Sequence, residues 1–214
     1  MTRERTMCVV AITTALWFMV AGATAGPPGS EYRSQEFGFA LRPPHGWMAY
    51  DQSSPQVQTL LAAARSATTS RGSEMGQGLV VIFSEFPFED SAPFNTNVTI
   101  SVQPLHDNVL SDAALRQAAV ALLSDLAPQQ SCSKPQEIRF ATTWFQSDCH
   151  YGQATKQRQV PIQARPAMAA DPRRRQCILV TASALEREFA RYETFFAQTL
   201  ASFRWTDHET TEDD

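Results

Sequence analysis

The apolar positions between Gln176 and Phe203 change period once. Gln176 to Ala182 is a short, β-branched apolar run, the composition of a buried strand. Leu185, Phe189, Tyr192, Phe196, Leu200 and Phe203 then recur at spacings of four and three, which predicts a helix with one buried side. Ser183 stands three residues before Glu186, the form of a capping box, and this places the helix start at Ser183. A helix that buries three Phe and one Tyr needs a broad apolar surface opposite it. The upstream chain offers short strands for that purpose, so the expectation is a sheet covered by helices.

Upstream, Phe37, Phe39 and Leu41 alternate along a first strand over Glu36–Leu41. Arg42-Pro-Pro-His-Gly-Trp47 is a turn, and Trp47-Met-Ala49 returns as a second strand. Ser54-Pro55 opens a short helix carrying Val57, Leu60, Leu61 and Ala64. Ser66–Gly78 is a loop. Leu79–Phe83 is apolar throughout, as in a strand buried on both faces, and Asn97–Gln103 alternates with Val98, Ile100 and Val102 inward. These two strands form a hairpin across a loop that holds Phe86, Phe88 and Phe94. Ser111 caps a helix with Leu115, Ala119, Leu122 and Leu126 on its stripe. Between Ile138 and Tyr151 the apolar parity flips, which demands a bulge or break near Thr142-Thr143. Val160, Ile162 and Ala164 mark another strand, with a turn at Ala169–Pro172 before Gln176. The predicted class is α+β: a largely antiparallel sheet sandwiched by helices.

The first residues read as an address. Arg3 and Arg5 precede an apolar run, Met7–Ala23, and Ala23-Thr-Ala25 has the small residues that a signal peptidase accepts. Cleavage after Ala25 is the first choice, and Ala21-Gly-Ala23 is a second site. A retained anchor is the alternative, against which stands a run shorter than the roughly 20 residues a spanning helix needs. The expected organisation is a signal peptide over 1–25, a flexible leader over 26–35, one domain over 36–205 and an acidic tail over 206–214. Removing 1–25 takes two Arg and one Glu from 18 basic and 22 acidic side chains, leaving a net charge of −5. That sign argues against non-specific nucleic-acid binding.

Export would leave Cys132, Cys149 and Cys177 in an oxidising compartment, where one disulfide and one thiol is the simplest outcome. All three pairings are open on sequence, with Cys132–Cys149 preferred. The alternative is three buried free cysteines.

Phe37-Gly-Phe-Ala-Leu-Arg-Pro-Pro-His-Gly-Trp47, the strand pair around Leu79 and Val98, and the ending Cys177–Ser183 with Phe195-Phe196 and Leu200-Ala-Ser-Phe203 resemble the PsbP/Mog-like superfamily of α/β/α sandwiches. That superfamily includes PsbP, DcrB-like and LpqN-type exported proteins, and the likeness runs over residues 36–205. It implies the fold, and it implies non-enzymatic work through protein partners. It carries no motif that names a partner or a cofactor.

Candidate chemistry is sparse. Asp148 and His150 fall on one face if they share a strand, which would suit an acid–base pair or, with His45, a metal. Neither lies at an established ligand spacing such as His-Glu-x-x-His. No Gly-x-Ser-x-Gly elbow is present, and the glycines of 72–78 precede a strand instead of opening a helix. Arg173, Arg174 and Arg175 could grip an anionic surface or cap a hairpin tip. Phe86, Phe88 and Phe94 could close over the core or present a partner surface. The resulting expectation is an exported binding or accessory protein of the bacterial envelope, periplasmic or extracellular, with no catalytic residues and no cofactor. The alternative is a secreted enzyme or metal-binding protein using Asp148 and His150.

Overall fold

The computed structural model describes residues 30–59, 62, 78–87, 94–105, 113–114, 117, 121, 131–154, 159–171 and 173–206. The signal segment, Leu60, Leu61, Ala64, most of the 66–78 loop, Phe88, Ser111 with the stripe that follows it, and the acidic tail from Asp207 lie outside those residues. No helix among the described residues is long and apolar enough to cross a membrane.

Every strand pairing among the described residues is antiparallel. A small sheet has the order β1 (Tyr32–Ser34), β2 (Phe39–Leu41), β12 (Arg204–Trp205). The large sheet runs β3 (Met48–Asp51), β4 (Leu79–Ser84), β5 (Asn97–Pro104), β11 (Gln176–Leu185), β10 (Gln159–Asp171), β8 (Thr143–Gln146), β7 (Gln136–Arg139). Beside β8, the N-terminal half of β10 pairs with β9 (Cys149–Ala154), which in turn pairs with β6 (Ser131–Cys132).

β4 is buried at all six positions and β5 alternates buried with half-buried, each as its sequence pattern requires. They form the expected hairpin, with a register irregularity between Leu79 and Val81. The C-terminal helix, Phe189–Ser202, lays Phe189, Tyr192, Phe196 and Leu200 on one face of the large sheet. Ile100, Ile178, Val180 and Ala182 lie beneath, and Phe39, Leu41 and Phe203 join the same core. On the opposite face Met168, Cys177 and Leu179 form one cluster, and Val57, in a helical turn at 55–59, packs with Leu79 and Ile82 in another.

Three expectations need correction, and a fourth is met and extended. Helix formation does not begin at Ser183: β11 runs on to Leu185, and Ser183 is buried with Asn97 opposite it on one side and Ala164 on the other. Two ladders satisfy the backbone there, so the capping-box motif is overridden. The actual N-cap, Glu188, makes no side-chain cap bond. Ala169–Asp171 is strand and not turn, since Asp171 pairs with Gln176 and the chain reverses after Asp171. The break expected near Thr142-Thr143 is present as the hairpin turn at 140–142, and a second, unexpected one at Ser147-Asp148 separates β8 from β9. Lastly, Tyr32–Ser34 belongs to a sheet, although it lies in the stretch read as a flexible leader. Its Tyr32 ring packs edge-on against Phe83 at 5.5 Å, which anchors it to the core.

Pro166, in the middle of β10, sits where the neighbouring strand changes from β9 to β8. Its carbonyl accepts from Ser147 N at 3.1 Å, and its missing N–H falls in the gap between the two shorter strands.

Candidate functional site

Strand register places the site. Arg165 lies opposite Ala182 and Ala167 opposite Val180, so Arg165 points to the helix-covered face of the large sheet. Ala167 faces Gln146, Gln146 faces Gln136, and Trp144 faces Ile138, which puts Gln146 and Ile138 on that same face. The C-terminal helix does not fully cover the β7–β8 hairpin. A cavity of about 210 Å3 remains between Ile138, Phe140 and Gln146 of the hairpin and Phe196, Thr199 and Leu200 of the helix. Val98, Val180 and Ala182 form its mostly apolar floor. Phe140, in the hairpin turn, is 41% exposed.

Arg165 is the charged group in this lining. Its Nε donates to Asp148 Oδ1 at 2.6 Å, its Nη2 donates to Glu193 Oε1 at 2.9 Å, and its guanidinium lies 5.0 Å from the centre of the Phe189 ring. Burial works against the charged form, but the two carboxylates outweigh it and hold the guanidinium above its ordinary pKa. Arg165 therefore ties β10, the β8–β9 step and the helix together at one point.

Asp148 and His150 do not form the expected pair. Asp148 precedes β9, so the same-face argument fails, and it is engaged by Arg165. His150 Nδ1 lies 3.1 Å from Glu186 Oε1, with both side chains exposed. His45 is exposed in the turn before Trp47. Among the described residues, no three His, Cys, Asp or Glu side chains are grouped to hold a metal.

The arginine turn is built on Asp171. Its Oδ1 accepts from the backbone N–H of Arg173 at 2.9 Å, and its Oδ2 from Arg174 Nη1 at 2.9 Å. Arg174 is half-buried, donates to the Thr206 carbonyl and lies 5.8 Å from the Trp205 ring centre, so it joins the large sheet to the small one. Arg173 and Arg175 are exposed, and Arg175 has a left-handed backbone with φ of 53°. Phe86 is 57% exposed and Phe94 half-buried, at the ends of the loop between β4 and β5.

Cys132 and Cys149 are directly opposed in the β6–β9 pair and joined as a disulfide. Cys177 is free and buried, and burial pushes its thiol up to about 11.

Sequence reasoning missed the groove because its two walls, Ile138–Gln146 and Phe196–Leu200, stand at least 50 residues apart in sequence, and only register aligns them. The available signal was Arg165, which shares this strand with one other charged residue, Asp171.

No sequence family and no curated protein matches the chain. Solved structures do. LpqN of Mycobacterium tuberculosis, described as involved in cell envelope biogenesis, superposes with a TM-score of 0.50 at 13% identity, over 85% of this chain and 87% of that one. The cyanobacterial PsbP of Synechocystis sp. PCC 6803 gives 0.48 at 12% identity, over 86% and 96%. The Ran-binding protein Mog1p of Saccharomyces cerevisiae gives 0.47 at 11% identity, over 83% and 95%. At such identities a likeness is one of fold: the chain has the PsbP/Mog-like fold.

Proposed function

We propose that this protein is an exported accessory protein of the bacterial envelope that works by binding another protein and catalyses no reaction. The observation that carries the address is the Cys132–Cys149 bridge, because disulfides persist in oxidising compartments. The Arg-flanked apolar run at residues 3–23 supports the same address, and so does the LpqN-like fold. The binding role is supported by exposed aromatic side chains at Phe86 and Phe140 and by an open apolar groove. Phe86, Phe88 and Phe94 with Arg173, Arg174 and Arg175 are proposed as a second contact surface. In the full α/β/α arrangement, the segment after Ser111 would supply a helix for the second face.

Intact mass of the protein from its native compartment, with and without reduction and thiol alkylation, tests the address. A chain beginning at Gly26 with one disulfide and one free thiol is expected. A full-length chain with four reduced thiols would sink the proposal.

A further inference from the structure

The cavity between the β7–β8 hairpin and the C-terminal helix has two unlike ends, and strand register sets them apart. Gln146 lies opposite Ala167, two residues from Arg165 on the same face, and such diagonal neighbours stand roughly 7–8 Å apart. Both side chains line the cavity, so together they make a polar corner. The Gln136–Gln146 pair is the open end of the hairpin and Phe140 belongs to its turn, so the aromatic lining of Phe140 comes from the opposite end. Val98, Val180 and Leu200 keep the wall apolar. Thr199 adds no donor, since its hydroxyl donates to the Phe195 carbonyl at 3.0 Å within the helix.

Size limits the occupant. Pockets that take a whole drug-sized ligand run from about 300 to 1,000 Å3, whereas a cavity of about 150 Å3 holds benzene. At about 210 Å3 this one fits a single ring with a short substituent.

The polar corner selects the chemistry. A guanidinium has N–H donors in several directions and no acceptor. Arg165 gives one N–H to Asp148 and one to Glu193, and the rest have no acceptor among the described residues. Those carboxylates lie outside the lining, where they offset the charge of Arg165 and leave its other donors in place. A carboxylate ligand would therefore lose its water beside a cluster that already carries an excess of negative charge. An ammonium would meet the guanidinium directly. A neutral carbonyl oxygen suffers neither penalty, and its hydrogen bond to a charged donor is of the stronger kind.

We propose that the cavity binds a small neutral molecule, one ring in size, whose carbonyl oxygen accepts from Arg165 and whose ring lies against Phe140 and Phe196. This goes beyond the protein-binding role, and the contact surface at Phe86 does not depend on it.

The probes are acetophenone, ethylbenzene and benzoate, which share a ring and differ in the group offered to Arg165. Each is titrated at pH 7 into methyl-labelled protein and followed by NMR. Acetophenone should give saturable shifts at the Val98, Ile138, Val180 and Leu200 methyls. Ethylbenzene, which has no acceptor, should bind about tenfold more weakly, and benzoate more weakly still. Ala197 is exposed on the helix and lines the cavity, so Ala197→Phe fills it without opening the core and should abolish the shifts. Arg165→Met should bring acetophenone and ethylbenzene to equal affinity; should that variant not fold, the wild-type series and Ala197→Phe still decide. The proposal would be overturned by the absence of saturable shifts, by shifts confined to another surface, or by binding that Ala197→Phe leaves unchanged. Equal affinity of the wild-type protein for acetophenone and ethylbenzene, or tightest binding of benzoate, would overturn it as well.

Discussion

Glu31 shows how much a single side chain does here. Arg204 donates to it from both terminal nitrogens and Arg33 from its Nε, and despite some burial the Arg204 hydrogen bonds pull its carboxyl from 4.5 down to about 2. A carboxyl whose folded pKa is depressed adds stability above its unfolded pKa and loses it as pH falls through the folded value. The window is therefore pH 4.5 to 2, and Glu31→Gln should flatten it: urea midpoints of the two proteins should differ at pH 7 and converge toward pH 2. Backbone geometry makes two further residues testable. Gly78 has φ of 85°, and a Cβ there would stand 2.0 Å from the Val102 carbonyl oxygen, so Gly78→Ala should cost more than about 2 kcal/mol in equilibrium unfolding. Arg175 has φ of 53° in the β10–β11 turn, so Arg175→Gly should be neutral or stabilising by up to about 1 kcal/mol, whereas Arg175→Val should destabilise. The glycine at 78 was readable only as part of a loop, and nothing in a run of three arginines says which one bends left-handed.

Elements with strong periodicity were legible. The alternation of β5 and the unbroken burial of β4 follow directly from their sequences, as does the aromatic stripe of the C-terminal helix. Boundaries were not, because they are decided by partners distant in sequence. Ser183 has a cap residue's chemistry, but it lies between β5 and β10, and the ladder wins over a cap worth about 1 kcal/mol. The groove was illegible for the same reason: Ile138, Gln146 and Arg165 share a face only through two successive registers. The β6–β9 pair joins only two residues to two, and its disulfide closes a loop with a sequence separation of 17. Loop-closure entropy at that length gives about 3 kcal/mol. Replacing Cys132 and Cys149 together by Ala should lower stability by roughly that amount, with hydrogen exchange accelerating first in 131–154 while the β5–β11 amides stay protected.

At the scale of the molecule, the central strands are shielded on both faces, and Cys177 reports on this. It is 4% exposed on the face away from the C-terminal helix, with its thiol protonated up to about pH 11. Iodoacetamide at pH 8 should therefore leave it untouched in the native protein and label it at the rate of global opening; fast labelling would show that the face is accessible. The small sheet has a different consequence. β2 lies between β1 and β12 and is antiparallel to both, so the first and last described strands run parallel on either side of it. Arg204 reaches Glu31 across that sheet, and Arg174 holds Thr206 at its other end. A molecule drawn by its two ends would load the β1–β2 and β12–β2 pairings together and in shear, because the parallel outer strands leave the small sheet at opposite ends. Shear must break the hydrogen bonds of both pairings at once, and Phe39, Leu41 and Phe203 belong to the shared core, so the two ends of the domain would resist tension as one unit.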